Sequence, residues 1–354
     1  MSKSGLLKVG ITIGDINGIG VEVILKALMD NRVLQDFIPI IYGSSKVVNF
    51  HRKALDMEDL RINSVNKSEE AKSKKINIVQ AWEEESKIEL GKSTVTGGNF
   101  ALKSLEMATN DLAANKIDVL VTAPINKHNI QQEKFNFPGH TEYLAKLANV
   151  DEALMMMVSQ DLRVALATVH TPIKDVSKQI TTEKLLLKIE QLNNSLVRDF
   201  GIRRPKIAVL GLNPHAGENG LLGNEEKETI SPAIRKANAN DLLVYGPYPS
   251  DGFFGSSNFK NFDGILAMYH DQGLAPFKAL SFDEGVNYTA GLPIVRTSPD
   301  HGTGYEIAGK GQASELSMRN ALYLAKEIFE QRALYKEINA NTLKPQKTKE
   351  ARER

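Results

Sequence analysis

The strongest constraint in this sequence is an alternation. Short apolar runs are each followed by longer stretches with helical character. Leu7–Ile13, Phe37–Tyr42, Ile117–Thr122, Val164–Thr168, Lys206–Leu210 and Gly264–Met268 read as strands, and Val21–Met29 and Phe100–Asn115 as helices. Strands that alternate with helices form βαβ units, which assemble into a largely parallel sheet with helices on its faces. The expectation is an α/β fold, and 354 residues are enough for about two domains of ordinary size.

Composition narrows the function. Lys and Arg total 44 against 43 Asp and Glu, a net charge of +1. A nucleic-acid binder normally carries a basic excess, so a bulk polyanion is not an expected partner. The chain has no cysteine, which removes disulfides, thiolate metal sites and a cysteine nucleophile. Any metal must be held by His, Asp or Glu. No apolar run approaches the roughly 18 residues of a membrane span, so no membrane partner is expected. The opening MSKSGLLKVGITIGDINGIG is too broken by polar residues for a secretory signal, and a cytoplasmic protein is expected. Residues 61–95 read as surface structure, and 341–354 as a solvated charged tail.

Gly14–Gly20 (GDINGIG) sits between a strand and a helix. Glycines there permit a tight turn, and a helix N-terminus favours anions. The G-x-G-x-x-G fingerprint fails, because Val23 stands at its third glycine position, and no Walker sequence follows. A phosphate cradle and a plain tight turn both remain open.

Histidines cluster at strand ends. His170 closes VALATVH, His215 follows KIAVLGLNP, and His270 closes GILAMYH. In open α/β sheets the ligand crevice lies outside the carboxyl ends of strands, so three imidazoles from distant segments can converge there. Their spacing matches no local metal motif, so a metal site and separate structural roles both stay open. Glu218, Asp251 and Asp271 lie nearby and can complete such a site or orient a ligand. His140 and Thr141, in FPGHTEYLA, look like a helix start, with Thr141 able to cap. His51 and His128 read as surface residues.

Lys278, Asn287 and Arg296 interrupt apolar or glycine-rich surroundings downstream. A buried Lys or Arg needs an opposite charge, which an anionic substrate or an internal salt bridge can supply. The stretch DHGTGYEIAGKGQAS follows, with exposed backbone and Glu306 suited to the adenosine end of a dinucleotide.

The segments TIGDINGIGVEV, TAPINK, FPGHTEYLA, VHTPIKDV, LNPHAGENGLLGNEE, GPYPSDGFF, YHDQGLAPFKAL and VNYTAGLPIVRTSPDHGTGYEIAGKG run in order from residue 12 to 311. They resemble the PdxA family, the 4-hydroxythreonine-4-phosphate dehydrogenases of vitamin B6 biosynthesis. The resemblance implies an isocitrate/isopropylmalate dehydrogenase-like fold of two α/β/α domains without G-x-G-x-x-G. The domains are expected at 1–128 with 303–340, and at 129–302. It implies a homodimer with the site near the subunit interface. It also implies NAD-dependent oxidation of 4-phosphooxy-L-threonine and decarboxylation to 3-amino-2-oxopropyl phosphate.

By motif, the implied metal ligands are His170, His215 and His270, shared between subunits and holding zinc, magnesium or cobalt. Implied substrate contacts are His140, Thr141, Lys278, Asn287 and Arg296, with Lys278 and Asp251 as candidate catalytic groups. His301, Gly302 and Glu306 fall in the segment that resembles an adenosine-binding loop. Two positions depart from the common pattern: Gly252 stands where Thr is frequent, and Glu306 where Asp is. The nearest rival is a related dehydrogenase of erythronate or threonate 4-phosphate. A phosphotransacetylase-like protein and a non-catalytic metal-dependent dimer are further alternatives.

Overall fold

A computed structural model of the chain describes residues 5–85, 87–130, 137, 139–160 and 162–340, so the expected tail at 341–354 lies outside the described residues. Among these residues the strands are β1 (Leu7–Thr12), β2 (Phe37–Gly43), β3 (Ile62–Val65), β4 (Ile76–Gln80), β5 (Val119–Thr122), β6 (Leu154–Val158), β7 (Arg163–Leu166), β8 (Lys206–Leu210), β9 (Leu243–Tyr248), β10 (Gly264–Ala267), β11 (Val286–Ala290) and β12 (Arg296–Pro299). They form one sheet in the order β3-β4-β2-β1-β5-β12-β11-β6-β7-β10-β8-β9.

The sheet is less uniformly parallel than the alternation suggests. Strands β3 to β12 in that order are parallel, and so are β7, β10, β8 and β9. Between the groups, the β12–β11, β11–β6 and β6–β7 pairs are antiparallel. Three reversals leave the two parallel groups running in opposite senses. Strands such as β1 and β10 are buried on both faces, which is why they read as continuous apolar runs.

Residues 61–95 are not merely surface structure. They supply β3 and β4, and Ile76, Ile78, Val79 and Trp82 are core residues. The helix expected from Phe100 begins earlier, at Val95, where Thr94 accepts the Gly97 amide as its N-cap.

The antiparallel join has two distinct faces, because side chains alternate along each strand. Asn287 pairs with Ser298, and Thr289 with Met155, so these residues share a face with Arg296. The opposite face carries Tyr288, Thr297 and Met156. There the helix Leu316–Ala340 clamps the sheet: Thr297 donates to the Ala321 carbonyl at 2.7 Å, and Arg332 Nη2 donates to the Tyr288 hydroxyl at 2.9 Å. Tyr288 in turn donates to Asp199 at 2.6 Å. Burial opposes the Asp199 charge, but the guanidiniums of Arg198 and Arg332 hold its carboxyl below the usual range.

Candidate active site

The first face of the join is the floor of a cavity of about 240 Å³. Arg296 lies in that floor, buried. Its Nε and Nη2 donate to Thr122 Oγ1 at 3.0 and 2.6 Å, and its Nη1 to Thr289 Oγ1 at 3.2 Å. Among the described residues no carboxylate lies within ion-pair distance of it. Burial pushes its pKa down to about 10. Two hydroxyls do not replace the hydration of a cation, so the floor is built to receive an anion.

The helix His140–Leu147 forms one wall. Its N-cap is Gly139 with no side-chain cap, so Thr141 does not cap as expected. Thr141 Oγ1 instead lies 3.5 Å from Thr289 Oγ1 on the floor. His140 Nε2, Glu142 Oε2, Asn287 Oδ1 and His301 Nε2 are buried atoms without a hydrogen-bond partner among the described residues, and all four residues line this cavity. Such atoms are rare, and each costs about 1–3 kcal/mol. Burial, reinforced by the positive charges of Arg296 and Lys127, holds the His140 pKa well below its ordinary value, so the ring is neutral.

The three strand-end histidines follow β7, β8 and β10, which are neighbours in the order β7-β10-β8. His170 and His270 line the floor cavity. His170 Nδ1 is 3.0 Å from Glu142 Oε1, its Nε2 is 2.8 Å from Lys127 Nζ, and His270 Nδ1 is 2.6 Å from Asp271 Oδ1. His215 lies instead in a separate cavity of about 510 Å³, together with Asp251 and Asp271.

His215 is carried on an unusual turn. Residues 215–219 all have positive φ, between 44° and 78°. Left-handed backbone costs non-glycine residues roughly 1–2 kcal/mol each. The turn is held by buried Glu226, which accepts the Leu212 and Asn213 amides at 2.7 Å each and Asn213 Nδ2 at 2.9 Å.

Among the described residues no group of three His, Asp or Glu side chains is arranged to hold a metal ion. The donor chemistry nevertheless fits one. His170 and His270 have their Nδ1 atoms held by carboxylates, the usual second contact of a metal-ligating imidazole. One chain brings two of the three histidines to one cavity.

The remaining candidates divide similarly. Lys278 has an internal partner, with Nζ 3.3 Å from Asp300 Oδ1, and burial raises the Asp300 pKa against that attraction. Asp251 is exposed in the His215 cavity, apart from Lys278. His301 and Gly302 line the floor cavity, while Glu306 is exposed in the turn Tyr305–Ile307.

The glycine loop is a packing hub. Buried Asp15 accepts the Asn17 amide at 2.9 Å, Asn129 Nδ2 at 2.8 Å and the Tyr305 hydroxyl at 2.7 Å. The Asp15, Gly18 and Ile19 amides go to carbonyls of Pro124, Asp15 and Thr303. These amides are already used, which favours the tight turn over a phosphate cradle. His51, expected at the surface, is buried, with Nε2 2.8 Å from the Ile16 carbonyl behind this loop. His128 is exposed, as expected.

Thr122, Lys127, Glu142, Thr289 and Asp300 escaped the sequence reading. Thr289 carried a usable signal, since it lies two residues beyond Asn287 in a strand and must share its face.

Comparison with known proteins agrees with this architecture. The model of the family "Pyridoxal phosphate biosynthetic protein PdxA" matches residues 35–325. A 4-hydroxythreonine-4-phosphate dehydrogenase of Bacteroides thetaiotaomicron is 51% identical over 341 residues, covering 96% of this chain and 93% of its own. A D-threonate 4-phosphate dehydrogenase of Cupriavidus necator is 39% identical, covering 92% of this chain and 98% of its own. The crystal structure of 4-hydroxythreonine-4-phosphate dehydrogenase from Klebsiella pneumoniae superposes with a TM-score of 0.79 at 32% identity, covering 93% of this chain and 99% of its own.

Fold, cavity and relatives together define an α/β dehydrogenase. More narrowly, the chain belongs to the PdxA family of pyridoxal phosphate biosynthetic proteins.

Proposed function

We propose that the chain oxidises 4-phosphooxy-L-threonine with NAD⁺ and releases CO₂ to give 3-amino-2-oxopropyl phosphate, assisted by a divalent ion such as zinc, magnesium or cobalt. The observation that carries this reading is the buried Arg296, without a carboxylate partner among the described residues, in a cavity also lined by four residues with orphaned polar atoms. A small anionic substrate rich in hydrogen-bonding groups, with the cofactor beside His301, would satisfy them. His170 and His270 from one chain and His215 from a second copy would hold the ion, so the working unit is a homodimer in the cytoplasm. When bound, the ion would polarise the hydroxyl being oxidised and stabilise the negative charge that decarboxylation develops, and NAD⁺ would be the hydride acceptor.

The chain's own residues bind and orient. Arg296 takes an anionic group of the substrate, and Lys278, positioned by Asp300, takes a second. His140, held neutral, and Asn287 hydrogen-bond to substrate groups, with Thr141 beside them. The candidate acceptors of the hydroxyl proton are Asp251, which shares the His215 cavity, and Lys278 in its neutral amine form, which then leaves the second anionic group to other residues. His301, Gly302 and Glu306 face the cofactor. Residues 1–128 with 303–340 and residues 129–302 form the two lobes that enclose it.

The test is NADH formation from 4-phosphooxy-L-threonine, with and without chelator. Turnover that chelator abolishes and a divalent ion restores supports the reading. The rival is a sugar-acid phosphate dehydrogenase, supported by the relative named for D-threonate 4-phosphate. Turnover of D-threonate or erythronate 4-phosphate, with none of the amino-acid phosphate, would replace the first reading by the second.

A further inference from the structure

Lys127 opens the short helix after β5, and Glu142 lies in the first turn of the helix His140–Leu147. They meet His170 from its two ends, Lys127 Nζ at 2.8 Å from Nε2 and Glu142 Oε1 at 3.0 Å from Nδ1. An ammonium only donates hydrogen bonds and a carboxylate only accepts them. Nε2 must therefore carry the lone pair and Nδ1 the proton. This single tautomer satisfies both contacts, and it directs the ligating nitrogen toward a cation in either case.

We propose that Glu142 and Lys127 act on His170 in opposition: Glu142 fixes the tautomer that presents Nε2, and Lys127 covers that nitrogen until a divalent ion displaces it. The inference rests on the reading of His170 as a metal ligand. Both groups are positioning residues, and their effects on metal affinity have opposite signs. Glu142 raises affinity by pre-forming the donor. Lys127 lowers it, because a charge-assisted hydrogen bond must break before the ion enters. Lys127 already lines the cavity that holds Arg296, so its release from Nε2 frees an ammonium to pair with the anionic substrate.

The test uses the full chain stripped of metal. Zinc affinity is measured by competition with a chromophoric chelator, and the His170 tautomer by two-bond ¹H–¹⁵N correlation. In Lys127→Met, zinc affinity should rise about tenfold, the value of one charge-assisted bond. In Glu142→Ala it should fall about 10–100-fold, the usual effect of losing the second contact of a ligating histidine. The Nδ1–H signal should give way to mixed tautomers in the Lys127→Met/Glu142→Ala double variant, because Lys127 alone still requires Nε2 as its acceptor. Glu142→Gln should retain both tautomer and affinity, since its amide oxygen still accepts from Nδ1, and it controls for a folding defect.

Affinity shifts of the same sign in the lysine and alanine variants, or an unchanged tautomer in the Lys127→Met/Glu142→Ala double variant, would overturn the proposal. Failure of the underlying reading looks different. His170→Ala would then bind zinc like the unaltered chain, while the unaltered chain still showed the Nδ1–H tautomer of His170.

Discussion

Replacing Arg296 by Met removes a buried charge that the described residues leave without a carboxylate. An internal structural arginine would cost stability when lost, whereas one held for a ligand would not. The melting temperature of Arg296→Met without ligand should equal or exceed that of the unaltered chain. Its kcat/KM should fall by about 100-fold or more, the cost of leaving a substrate anion unpaired. Thermal melts and initial rates on the same preparation check both. The buried imidazoles give a second prediction. Burial depresses the pKa of His51, His140 and His301 in the fold. Protonation therefore favours the unfolded chain, and stability is complete above the ordinary histidine value of about 6.5 and lost as pH falls toward the folded values. Each group adds a slope of up to about 1.4 kcal/mol per pH unit. Thermal melts between pH 7 and 5 should show this decline. His51→Gln, which keeps a donor for the Ile16 carbonyl, should make it shallower.

At the scale of elements, the glycine loop is the sensitive part. A Cβ on Gly18 would lie 2.5 Å from the Thr303 carbonyl oxygen. Gly18→Ala should therefore cost about 1–3 kcal/mol by denaturant titration, as overpacking does. It should raise KM for NAD⁺ more than for the phosphorylated substrate, because it pushes on the segment next to His301 and Gly302. Much of the scaffold was legible in the sequence, since β1, β2, β5, β7, β8 and β10 are apolar runs bounded by turns. Strands β11 and β12 were not. VNYTA and RTSP are polar because one of their faces lines a cavity, and that chemistry masks the strand pattern. The positions of His170, His215 and His270 at strand ends were legible too. The left-handed turn at His215 was not, because it depends on Glu226, a contact made only in three dimensions. His51 was misread for a similar reason: polar neighbours in sequence do not reveal a carbonyl waiting inside the core.

At the scale of the whole molecule, His215 in a different cavity from His170 and His270 makes the proposed sharing of the metal site between copies testable. His170→Ala and His215→Ala should each be inactive alone. Unfolded together and refolded as a mixture, they should regain about a quarter of full activity, because half the dimers are mixed and each mixed dimer keeps one intact site of two. A site wholly within one chain would give no recovery. The order of the sheet also bears on how the chain is made. The cavity floor wedges β11 and β12, which emerge late in synthesis, between β5 and β6, which emerge early. Until Pro299 has been translated, β5 and β6 present raw edges to the cell, the kind that recruit stray strands and draw chaperones. Premature termination anywhere before Val286 thus leaves a sticky fragment rather than a half-working enzyme.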